Sequence, residues 1–157
     1  MALATESVLA FWRRATEAGA IAPGTAVPTA VESFGDSPSL ADELLALVID
    51  GPKRATAAAL ADYQSSGDAV PVVGALTLMT DGAGIPRAIL RTIEVRIGPL
   101  SSVDERFAWD EGEGDRTRAD WLRSHTAFFQ RYLPTIGLVF HPDMDVVFER
   151  FELVYSE

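Results

Sequence analysis

The chain has 157 residues, 48% of them hydrophobic and 23% charged, with a formal net charge of −10 and no cysteine. That length fits one domain with a substantial core, and a chain without cysteine excludes disulfides, thiolate metal sites and cysteine nucleophiles. The acidic balance opposes broad binding to a polyanion, and no apolar run approaches the roughly 20 residues of a membrane span, so a cytoplasmic protein is expected.

In chain order, "MALATESVLAFWRRATEAG" mixes charge and apolar residues at helical spacing. It reads as an amphipathic helix over 5–18, with Val8, Leu9, Phe11, Trp12 and Ala15 inward, rather than as a signal peptide. A Gly- and Pro-rich loop follows, and "TAVESFGD" is short and alternating enough for a strand ending at Gly35. Residues 1–25 are expected to form a helix and loop packed on a domain spanning 26–157. Ser37-Pro38-Ser39 opens a second helix with Ser39 as N-cap and a stripe of Leu40, Leu44, Leu45, Leu47 and Val48. After Gly51-Pro52, "RATAAALADYQSSG" has high helix propensity, which predicts a third helix with Lys53 and Thr56 in its first turn.

The second half is strand-rich. "PVVGALTLMTD" and "IPRAILRTIEVRIG" flank the hairpin-like turn "DGAG". "RTRADWLRSHTAFFQRYLP" predicts one strong helix, with a capping-box-like start at Thr117 and Asp120 and with Pro134 past its end. "GLVFHPDMDVVFERFELVY" predicts two last strands around His141-Pro142-Asp143. Helices first, then strands with one inserted helix, describe a single α+β domain built on a curled sheet or open barrel.

Several constellations could carry chemistry. At i and i+3 in a helical turn, Lys53 and Thr56 share a face. A threonine hydroxyl becomes a nucleophile once a base takes its proton, a role open to a lysine desolvated near a helix start. The same two residues also suit a surface position and a helix start. In "FAWDEGEGDRTRADW", Glu111, Glu113 and Asp115 alternate with glycines ahead of the long helix. One loop could thus present carboxylates as general acid/base or as oxygen ligands, or serve only as a helix start and turn. His125 lies on a stripe with Trp121, Phe128, Phe129 and Tyr132, as a core histidine or a brace for the acidic loop. Two histidines without cysteine make a zinc site improbable, so no metal and no cofactor are expected. Trp109 could stack on a flat base, and Phe34 or Asp36 could line a pocket beside Lys53. Gly-rich P-loop, Gly-x-Ser-x-Gly and HExxH motifs are absent.

Taken in order, "SFGDSP…ADELLALVIDGPKRATAAAL", "FAWDEGEGD" and "WLRSHTAFF" resemble the ASCH domain family, from roughly Val31 to Tyr155. The closer likeness is to its bacterial stand-alone branch. The resemblance implies a PUA-like β-barrel flanked by helices and a cleft that accepts a nucleoside or short single-stranded RNA. Some small members are amidohydrolases that remove the acetyl group of N4-acetylcytidine with a lysine, a threonine three residues on, and a glutamate. Lys53 and Thr56 match the G-x-K-x-x-T element, and Glu111 matches the glutamate three residues beyond Ala108 in A-x-x-E. The implied roles are Lys53 as base, Thr56 as nucleophile and Glu111 as the group that orients the lysine or hands on a proton. Other members cut RNA, so a ribonuclease, an RNA-binding protein or a non-catalytic nucleoside sensor are the alternative expectations. Two departures remove positive charge. Ala58 stands where small amidohydrolase members carry arginine, and Pro52 replaces the basic residue before the lysine, leaving Arg54 or Arg91 as candidate substitutes and favouring a small neutral substrate.

Overall fold

The computed structural model describes residues 5–157. Helix α1 (Glu6–Glu17) begins at Thr5, whose hydroxyl accepts a bond from the Val8 amide, and buries Val8, Phe11, Trp12 and Ala15. Leu9, expected inward, is exposed. The first four residues of the expected 1–25 segment lie outside the described ones. Strand β1 is only Val31–Glu32, and helix α2 (Pro38–Ile49) is capped by Ser37, not by Ser39. Pro38 explains the shift: it is preorganised for the first helical position, so the cap must precede it.

The alanine-rich segment is the main correction. Ala55–Ala59 is strand β2, and the helix expected there is reduced to α3 (Leu60–Ser66), closed by Gly67 in the left-handed region. Alanine prefers helix locally. Here Ala55 through Ala59 instead pair antiparallel with residues Arg150 to Val146, and Ala55 and Ala59 are buried at that join, so tertiary pairing overrides propensity. Lys53 and Thr56 therefore lie before and within a strand, and no helix start acts on the lysine.

Strands β3 (Leu76–Thr80) and β4 (Pro86–Pro99) form the expected hairpin. Asp81 shapes its turn by accepting bonds from the Ala83 and Ile85 amides. "ERFAWDE" is helix α4 (Glu105–Glu111), capped by Asp104, so Glu111 ends a helix instead of sitting in the loop. Helix α5 (Arg118–Tyr132) starts at Thr117 as expected. Only one final strand forms, β5 (Asp145–Ser156). The segment before it is irregular and packs Leu138, Phe140 and Met144 onto the core.

The strand order is β1-β3-β4-β5-β2, with β1 and β3 parallel and the other neighbours antiparallel. Among the described residues no pairing joins β1 to β2, so the sheet is open and does not close into a barrel. Register shifts interrupt β4 against β5 at Ile89/Leu90 and at Thr92/Glu94, and such bulges bend and twist a sheet. Alternation along the strands divides the core. Leu78 and Ile89 pack under α1, while Met79, Ala88 and Leu90 pack with Leu45 and Val48 of α2. A third cluster joins Ala55, Ala59, Val146 and Phe148 to Phe107 and Ala108 of α4 and Trp121 and Phe129 of α5. No helix is long and apolar enough to cross a membrane among the described residues.

Candidate functional site

The turn between α2 and β2 is pressed against the end of α4. The Arg54 amide donates to the Asp110 carbonyl at 2.8 Å, and the Lys53 amide donates to that of Leu47 at 3.1 Å. Gly112 follows α4 at φ +70°, where a Cβ would stand 2.8 Å from the Lys53 nitrogen and 2.9 Å from its Cα. The first glycine of E-G-E-G-D thus serves both a left-handed helix end and a close backbone approach.

Lys53 is 1% exposed. Its ammonium donates to the Ala55 carbonyl at 2.8 Å, the Glu111 carbonyl at 3.4 Å and the Glu113 Oε2 at 3.0 Å, with Glu111 Oε1 at 3.6 Å. Three N–H donors thus meet three acceptors, one of them the last carbonyl of α4, and none is spent on Thr56. Glu111 is the carboxylate expected to orient Lys53, but the one that bonds the ammonium directly is that of Glu113, with Glu111 Oε1 further off. Glu111, 2% exposed, accepts from Trp121 Nε1 on one oxygen and pairs with His125 Nε2 on the other at 2.8 Å. The His125 ring stacks on Trp121 at 3.8 Å and its Nδ1 lies 3.0 Å from the Trp121 carbonyl. With a carbonyl at one nitrogen and a carboxylate at the other, the imidazolium form satisfies both.

Burial alone would push the Glu111 carboxyl up, but His125 and Lys53 beside it reverse this and hold it well below the usual carboxylate range. Burial would lower His125, and the Glu111 carboxylate more than offsets that, so His125 stays above its ordinary value. Glu113 moves the other way. Burial and the neighbouring Glu111 charge, opposed by Lys53, push it up to about 7. Glu111, Glu113 and His125 offer ligand-type atoms within 4.8 Å of one another. The Lys53 ammonium lies against the same two carboxylates, 3.0 Å from Glu113 and 3.6 Å from Glu111, and with the His125 imidazolium balances their charge.

Two adjoining cavities open beside this cluster. The smaller, about 240 Å³, is lined by Phe34, Lys53, Thr56, Glu111, Glu113 and His125 among others. The larger, about 460 Å³, shares Thr56 and Phe34 and extends along Ala57, Ala58 and Ala59 to Tyr63, Phe128 and Tyr132. Glu32, Asp62, Asp68 and Glu149 also line it, and no lysine or arginine does. Glu32 comes from the edge strand β1, Glu149 from β5 inside the sheet, Asp62 from α3 and Asp68 from just beyond it. Burial and neighbouring acids raise Glu32, and burial raises Glu149 against a 2.6 Å bond from Thr92.

Lys53, Thr56, Glu111, Glu113, His125 and Phe34 are therefore brought together, with Lys53 Nζ 5.5 Å from the Phe34 ring centroid. Four other candidates are not. Asp36 is tied to Arg131 at 2.7 and 3.1 Å. The Arg54 guanidinium bonds the carbonyls of Val48 and Lys53, and Arg91 pairs with Glu152 on the sheet surface. Trp109 is 56% exposed with the Arg116 guanidinium stacked on it at 3.6 Å, and it lines neither cavity. Neither Arg54 nor Arg91 replaces the charge missing at Ala58. Sequence reading missed Trp121 as a partner of Glu111, although its spacing of four from His125 on one helix puts both on one face. It also missed the four cavity acids, which no sequence pattern links.

Among curated protein sequences, none matches this chain. A family model described as ASCH domain matches residues 30–155. The chain is similar to a crystal structure of a protein from Enterococcus faecalis V583, with 34% identity over 94% of this chain and 88% of that one and a TM-score of 0.83. It is also similar to the crystal structure of an ASCH domain from Lactobacillus crispatus JV V101, with 29% identity over 97% and 96% of the two chains and a TM-score of 0.82. With four-fifths of its length matched by the family model and both folds superposing nearly end to end, the chain belongs to the ASCH domain family.

Proposed function

We propose that this protein is a hydrolase that cleaves the amide of an N4-acylated cytidine or a similar modified nucleoside. One observation carries the reading: Thr56 lines both cavities, next to a buried Lys53–Glu111–Glu113–His125 cluster. In this reading Thr56 Oγ attacks the acyl carbon, the C–N bond breaks to release the amine, and water then hydrolyses the acyl-threonine ester. Lys53 supplies positive charge near the oxygen that becomes anionic, an effect worth about 10² to 10³ in rate for one well-placed donor. Glu111 holds Lys53 from behind, and Phe34, Phe128 and Tyr132 offer flat apolar surface to a base. A PUA-like reading of the curled sheet is supported by the likeness to a solved ASCH domain. Cytoplasmic location belongs to the same proposal, since the substrate class is intracellular.

The four carboxyls of the larger cavity weigh against RNA as the substrate, because a phosphate there meets repulsion and no cation. The test is release of cytidine from N4-acetylcytidine by the purified protein. Turnover that disappears in Thr56→Ala supports the reading. Stabilisation by the nucleoside without product points to a sensor, and cleavage of short RNA with no action on the nucleoside points to a ribonuclease.

A further inference from the structure

We propose that Glu113, rather than Lys53 or Glu111, carries the proton in this hydrolysis, with Lys53 as its fixed cationic partner; the assignment rests on the amidohydrolase reading above. Three groups compete for the role, and their hydrogen bonding separates them. Glu111 is buried, with Trp121 on one oxygen and His125 on the other, and Lys53 beyond. Lys53 is equally buried, and each of its N–H donors already meets an acceptor. Glu113 differs from both. Its side chain is 26% exposed against 1% for Lys53 and 2% for Glu111, it lines the smaller cavity with Thr56, and its Oε2 accepts from Lys53 with the Glu111 carboxyl beside it.

The groups facing Glu113 are Lys53 before β2, Glu111 from α4 and His125 from α5. Burial and the Glu111 charge raise Glu113 to about 7 in spite of Lys53. A carrier poised there exists in both protonation states at neutral pH, as a group that must first accept and then donate requires.

The step balances with one shuttled proton. The Glu113 carboxylate takes the Thr56 Oγ proton as Oγ forms its bond to the acyl carbon. Glu113 then gives that proton to the exocyclic nitrogen as the C–N bond breaks and the amine leaves. A water repeats the sequence: its proton passes through Glu113 to Thr56 Oγ as the ester bond breaks, and the acid is released. One water is consumed and nothing is oxidised or reduced.

The experiment combines a pH–rate profile on N4-acetylcytidine with a carboxyl ¹³C titration of the wild type. The wild-type kcat is expected to rise with pH through an apparent pKa near 7, and the Glu113 carboxyl carbon to titrate in the same range. Glu113→Gln should fold normally, lose that limb and fall by about 10² to 10⁴ in kcat. Glu113→Asp should keep the limb and regain part of the rate. Wild-type turnover with Glu113→Gln unimpaired, or a Glu113 carbon titrating in the ordinary carboxylate range, overturns the assignment alone. A wild type that releases no cytidine overturns the amidohydrolase reading and the assignment with it.

Discussion

The Lys53 ammonium and the Glu111 carboxylate lie 3.6 Å apart, both almost fully buried, and so join the turn before β2 to the end of α4. Neither charge is screened by solvent, so each depends on the other and on its hydrogen bonds. Removing one partner leaves the other uncompensated, which costs about 3 to 5 kcal/mol for buried pairs. Lys53→Met is therefore expected to lose stability on that scale in urea unfolding. A loss below about 1 kcal/mol would show that Glu111 is rescued by His125 and Trp121 alone.

Gly112 tests the local backbone argument. Gly112→Ala is expected to destabilise the protein by about 2 kcal/mol or more, because it combines a left-handed backbone with a clash against the Lys53 main chain. Gly67→Ala is the control, having a similar φ of +77° with nothing within 4 Å of its Cβ, and should cost about 1 kcal/mol. Equal costs for the two in thermal or urea unfolding would refute the close-approach account.

Stability should fall as pH rises through neutrality. Glu113 is raised to about 7 in the folded protein, so its contribution is fully present below the ordinary glutamate value and is lost as pH climbs through about 7. His125, also raised, acts in the same direction above its ordinary 6.5. In this window the native state holds protons that the unfolded chain has released, which makes the slope of stability against pH negative. The melting temperature is expected to be higher near pH 5.5 than near pH 8.5, by an amount worth at most a few kcal/mol. Glu113→Gln should flatten the difference. A melting temperature that climbs steadily from acid to alkaline pH would contradict the sign.

The acidic cavity should discriminate by charge. A nucleoside is expected to be preferred over its 5′-monophosphate by roughly tenfold or more at low salt, narrowing as ionic strength screens the carboxyls. Glu32→Gln combined with Asp68→Asn should reduce the preference. Ala58→Arg, which places a cation on the β2 wall of the same cavity, should reduce it further. Competition binding across a salt series measures this, and equal affinity for the two ligands in the wild type would remove the electrostatic basis for excluding RNA.

Much of this was legible in the residues themselves. Helices α1, α2 and α5 follow from apolar periodicity and from caps that act over three or four residues, and β4 follows from its β-branched run and the Asp-Gly turn before it. The G-x-K-x-x-T and E-G-E-G-D elements pointed to Lys53 and its acidic partners, because a buried lysine needs counter-charge and the glycines mark close approach. Tertiary structure decided what local preference could not. Five residues of alanine and threonine became a strand only because β5 offers them a partner and the core buries two of them. The carboxylate that accepts the lysine's hydrogen bond is that of Glu113, not of Glu111, because α4 runs on to Glu111 and turns its side chain to Trp121 and His125. The acidity of the larger cavity arises when folding brings Glu32 of β1 and Glu149 of β5 beside Asp62 and Asp68 of the α3 region. These four acids are separated by as many as 117 positions of chain, and their combined field exists only after folding, since electrostatic interaction depends on distance in space.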